Sequence, residues 1–102
     1  MYRERWHFHA KTQADRAKML AVAADFEKLA AARGWAKGTY WSNTGGDIQE
    51  VVGEWEYPDL TAYQKEYEEY DCPEMDEIFR RFDEFEVTRP IYTELLETLT
   101  VG

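Results

Sequence analysis

From Tyr2 to Ala10 the chain alternates with a period of two: Tyr2, Glu4, Trp6, Phe8 and Ala10 project to one side and Arg3, Arg5, His7 and His9 to the other. This pattern predicts a strand with two chemically different faces. From Thr12 the period lengthens, and Met19, Val22, Ala23, Phe26, Leu29 and Ala30 recur at helical spacing. Thr12 followed by Asp15 forms a capping box at the start, and Gly34 supplies a left-handed stop, so a first helix of about six turns is expected. Gly38 to Asn43 and Gln49 to Tyr57, joined by Thr44-Gly45-Gly46-Asp47, read as a hairpin. Pro58 ends it, and Asp59 caps a second helix carrying Leu60, Tyr63, Tyr67 and Tyr70. Proline suits the first turn of a helix and not its interior, so Asp71-Cys72-Pro73 predicts a restart. Met75, Ile78, Phe79, Phe82 and Phe85 form the apolar side of the restarted helix. Val87 to Leu96 reads as a last strand, which Arg89-Pro90 confines to a sheet edge or a bulge.

Strand, helix, strand, strand, helix, strand is the split βαβ order. It predicts an α+β, ferredoxin-like βαββαβ fold with a four-stranded antiparallel sheet and its helices on one face. The bare face needs a cover, and a second copy of the chain is the economical one, so a homodimer in which two sheets enclose a pocket is expected. A chain of 102 residues has room for one hydrophobic core, and residues 1–102 are read as a single domain. Aromatics at 16% place the 32% charged residues on a folded surface. The net charge of -9 argues against nucleic acid and against an anionic membrane surface, because both need concentrated Lys and Arg. The chain has no run of about 18 apolar residues. Its alternating start lacks the apolar stretch of a signal peptide, so a cytoplasmic location is expected. Cys72, the lone cysteine, is read as structural.

The segment Gly38-Thr39-Tyr40-Trp41-Ser42-Asn43-Thr44-Gly45-Gly46-Asp47-Ile48-Gln49-Glu50-Val51-Val52-Gly53-Glu54-Trp55-Glu56-Tyr57-Pro58-Asp59-Leu60 resembles the NIPSNAP-type pattern. In that pattern a GYW-like strand leads through a Gly-Asp turn to an Asn-or-Gln-Glu-Val-Val strand ending in Trp-x-Tyr. The resemblance implies a member of the dimeric α/β barrel superfamily, built from pairs of ferredoxin-like units. Its members range from cofactor-free monooxygenases and isomerases to haem-degrading enzymes and non-catalytic binders. Here Gly53 stands where the family often has histidine after Val-Val, and Glu54 where an apolar residue is usual. Trp41 and Asn43 are similar to the tryptophan and asparagine of the quinone-forming monooxygenases. The haem-degrading relatives use a helix-borne histidine, whereas both histidines here lie on the first strand.

In the ferredoxin-like order the first and third strands are central neighbours. Val51, Gly53, Trp55 and Tyr57 then face the helices. Glu50, Val52, Glu54 and Glu56 lie beside Arg3, Arg5, His7 and His9 on the other face. This arrangement suits two readings. One is an acid/base pocket, with His7 or His9 as general base, Glu54 or a neighbouring glutamate as its partner, and Arg3 or Arg5 holding an anionic group. The other is a cross-strand ladder of salt bridges. Glu50, Glu56, Tyr40, Trp41, Asn43 and Tyr67 complete the candidate lining, since rings with a polar tip suit flat organic ligands. His7-x-His9 with Glu54 or Glu56 has a spacing permissive for a metal, but neither a metal nor any other cofactor is expected. Trp6, Phe8, Phe26, Trp55, Phe79 and Phe82 are assigned to the core. The acidic runs of residues 66–71 and 76–86 are assigned to a solvated face. Two functions remain open. The favoured one is a small-molecule-binding, cofactor-independent enzyme of monooxygenase, isomerase or cyclase type acting on an aromatic or enolisable substrate. The alternative is a non-catalytic ligand-binding or protein-interaction dimer.

Overall fold

The computed structural model describes residues 1–102 and has the order β1 (Tyr2–His9), α1 (Gln13–Arg33), β2 (Thr39–Ser42), β3 (Glu50–Tyr57), α2 (Leu60–Glu69), α3 (Pro73–Phe82) and β4 (Tyr92–Glu97). The predicted caps are in place. The Thr12 hydroxyl accepts from the Asp15 N–H and donates back to the Asp15 carboxylate, while Gly34 closes α1 at φ 72°. Asp59 accepts from the Ala62 N–H at the start of α2, and Pro73 opens α3.

The four strands form one antiparallel sheet in the order β2-β3-β1-β4. The β1–β3 register sets Arg3 opposite Glu56, Arg5 opposite Glu54 and His9 opposite Glu50, as the alternation predicts. The last strand departs from the expected span. It begins at Tyr92, five residues later than Val87, and Val87 makes only an isolated bridge to Ala10. Pro90 has no N–H for a ladder, and it biases Arg89 toward extended geometry. The preceding stretch is tied to the end of β1 by other bonds, Lys11 N–H to the Glu86 carbonyl and Thr88 N–H to the His9 carbonyl.

The helices cover one face of the sheet. Phe8 and Val51 from the sheet meet Met19, Ala23 and Phe85 in one cluster, and Val22, Ala30 and Trp35 meet Met75 and Ile78 in another. The Val, Ile, Met and Phe side chains among them each contribute about 1.5–3 kcal/mol when fully buried. Phe79, expected in the core, is 41% exposed at its margin. No helix is long and apolar enough to cross a membrane.

Candidate functional site on the open face of the sheet

The face away from the helices carries a polar lattice. Arg5 Nε donates to Glu54 Oε2 at 2.8 Å, Arg3 Nε lies 3.4 Å from the other oxygen of Glu54, and an Arg3 guanidinium nitrogen donates to Glu56. Glu54 is therefore the bridge between two arginines, not the partner of a histidine. These pairs are partly exposed and screened by solvent, so each adds little to stability.

The histidines find their carboxylates elsewhere. His7 Nε2 lies 2.5 Å from Glu94 Oε1 of β4, and its ring stacks on Tyr92 at a centroid distance of 4.3 Å and an interplanar angle of 6°. His9 Nε2 lies 2.5 Å from Glu50 Oε2, and the same oxygen is 3.9 Å from His7 Nδ1. Glu94, His7, Glu50 and His9 thus form a line across β4, β1 and β3. Both Nδ1 atoms are covered and have no hydrogen-bond partner. His9 is wholly buried. No three His, Cys, Asp or Glu side chains gather as a ligand set for a metal ion.

Beside this line runs a groove of about 380 Å³ lined by Arg3, Arg5, His7, Trp41, Val52 and Glu54. The sheet brings five of the predicted site residues together there, and Trp41 is exposed at its edge. Glu50 and Glu56 lie on the same face, bound to His9 and Arg3. Asn43 instead closes the hairpin, its N–H on the Glu50 carbonyl and its side chain against Gly46.

Tyr40 and Tyr67 lie on the other side of the sheet. Tyr40 donates to Glu27 at 2.9 Å and Tyr67 to Glu4 at 2.6 Å, and both line a cavity between sheet and helices. Burial, followed by the facing carboxylates, raises the pKa of both hydroxyls, so each stays a donor.

No family model matches the chain, and no curated protein matches its sequence. Its structure is similar to that of a NIPSNAP domain protein from Burkholderia xenovorans, with a TM-score of 0.76 at 18% identity over 100% of this chain and 98% of that one. The NIPSNAP-family protein ATU5224 of Agrobacterium tumefaciens superposes with a TM-score of 0.74 at 12% identity over 96% of this chain and 92% of that one. An antibiotic biosynthesis monooxygenase gives a TM-score of 0.73 at 11% identity, covering 98% and 100%. The chain has the ferredoxin-like fold, with a four-stranded antiparallel sheet, that these NIPSNAP and monooxygenase structures share. Residues 38–60, which carry the sequence resemblance, form the β2–β3 hairpin and the entry to α2.

One partner of the site escaped the sequence reading. Glu94 is the residue that holds His7, and the alternation Tyr92, Glu94, Leu96 beside β1 is the signal that points to it.

Proposed function

We propose that the open-face groove is a small-molecule site, that a second copy of the chain closes it, and that His7 performs cofactor-independent acid–base chemistry there on an aromatic or enolisable substrate. The supporting observation is the groove itself, where two arginines, an imidazole and an exposed indole converge on one space of about 380 Å³. In this reading Arg3 and Arg5 attract an anionic group, Trp41 stacks on a flat ring, and Glu94 orients His7. Taking a proton at Nδ1 requires ligand entry to uncover that atom, while Glu94 holds Nε2 and Glu50 lies 3.9 Å from Nδ1. His9 is buried and bonded to Glu50, which lies beside His7 rather than in the groove lining, so its part is to position that carboxylate.

A second reading, a non-catalytic binding or interaction dimer, is favoured by a different observation. Arg3, Arg5, His7 and His9 each have a carboxylate partner, and the unpartnered imidazole nitrogens are covered. An NMR titration of His7 with a panel of phenols, quinols and β-dicarbonyl compounds separates the two, run beside sedimentation velocity and turnover assays. The enzyme reading expects a dimer, a His7 pKa that moves on ligand addition, and turnover lost in a folded His7→Ala variant. Binding without turnover, with His7 indifferent to every compound, selects the second reading. A monomer that binds none of them removes both.

A further inference from the structure

Glu4 is the single charged residue on the helix-facing side of β1, and it is only 4% exposed. Tyr63 and Tyr67 both donate to its Oε2, at 3.0 and 2.6 Å, and no hydrogen bond reaches Oε1. Two other carboxylates between sheet and helices are better satisfied. Glu27 takes the Gly38 N–H on one oxygen and Tyr40 and Trp55 on the other. Glu66 takes the Ala36 N–H on one oxygen and Tyr57 and Tyr70 on the other. Glu4 also lacks a cation, because its chain neighbours Arg3 and Arg5 project to the opposite face and are engaged by Glu54 and Glu56. No hydrogen bond and no cation meets the second Glu4 oxygen, which leaves room for one more hydrogen-bonding partner.

What adjoins Glu4 indicates the chemistry of that partner. It borders a cavity of about 40 Å³ whose remaining walls are apolar, with Trp6, Trp55, Tyr67, Tyr70 and Phe79 among them and no Lys, Arg or His. Aromatic faces attract organic cations, and a lone carboxylate supplies the counter-charge and the acceptor. An anion is repelled by the same wall, and an apolar guest leaves Oε1 unbonded. We propose that this cavity is a second binding site, separate from the open-face groove, and that it takes the ammonium head of a small alkylamine. The volume sets a limit, since a cavity of about 150 Å³ is what a benzene ring occupies. Only the head group enters, and a longer chain leaves past Phe79, which lines the cavity and is 41% exposed.

The test is an NMR titration with methylammonium chloride, following the Trp6 indole N–H and the Glu4 carboxyl carbon, with sodium chloride and sodium acetate as controls. Saturable shifts of both signals with methylammonium alone are expected, with affinity about tenfold weaker in Glu4→Gln. Equal affinity in Glu4→Gln, or no saturable shift in the unaltered chain, overturns the proposal. Should Glu4→Gln fail to fold, the unaltered chain decides: a Glu4 carbon that moves with methylammonium and not with sodium supports the site, and one indifferent to both overturns it. Because the open-face groove is not probed, neither result bears on the His7 chemistry.

Discussion

At Gly53 an added Cβ would come within 2.6 Å of Trp55 Cη2 and 3.2 Å of Tyr40 Cε1. Neither ring steps aside cheaply, because the Trp55 indole and the Tyr40 hydroxyl are both anchored on Glu27. Gly53→Ala is therefore expected to cost about 1–3 kcal/mol, read as a lower urea midpoint at unchanged slope. The same geometry explains why this chain lacks the histidine that often follows Val-Val in the resembling pattern. That position faces the helices, and two rings already fill the space. Sequence reasoning placed Gly53 on the correct face but could not see what fills it, since packing between side chains distant in the chain leaves no local trace. Glu4 shows the opposite case. As a lone carboxylate in an apolar row it was visible from alternation, yet its partners Tyr63 and Tyr67 come from another element.

The helices are joined by charge as well as by apolar contact. Arg81 of α3 donates to Asp25 of α1 at 2.7 Å, and this bond holds the Asp25 carboxyl below its ordinary value. A depressed carboxyl stabilises the fold above its unfolded-state pKa, and that contribution fades as pH falls through the lower folded value. Arg81→Ala is thus expected to be less stable near neutrality, with the two stability curves converging as acid protonates Asp25. Denaturant titrations at stepped pH read this directly. The exposed setting keeps the difference small. Element boundaries were legible wherever a residue has a local job. Thr12, Gly34, Asp59 and Pro73 act within a turn of their own positions, and each marks the end it was expected to mark. The start of β4 was not legible. The chain reads as strand from Val87, but the backbone of β1 and the segment after it takes the hydrogen bonds of Glu86 and Thr88 before β4 begins at Tyr92.

Across the whole molecule, Tyr40, Tyr57, Tyr67 and Tyr70 have raised pKa values, first through burial and then through facing carboxylates. A raised pKa means that the native state holds its protons longer. The associated stability is complete below the ordinary tyrosine value of about 10 and is lost as pH climbs above it. Alkaline unfolding is expected to coincide with tyrosinate absorbance, so far-ultraviolet dichroism and absorbance should trace one transition. Absorbance rising well before the dichroism changes would show that these hydroxyls ionise within the fold. The global topology was readable because the order of elements admits few sheets, and the bare polar face followed from β1 alone. The pairing of His7 with Glu94 was not, because it depends on the register of an edge strand whose start was misplaced. That topology also governs time. The earliest strand of the chain is a central one, flanked by β3 at Glu50–Tyr57 and β4 at Tyr92–Glu97. As a nascent chain emerges, β1 has no strand partner until the hairpin follows, and its second edge stays open until the last strand is made. Closing such long loops is entropically slow, so the rate of folding rests on β1 waiting unpaired for distant neighbours rather than on the helix that forms beside it.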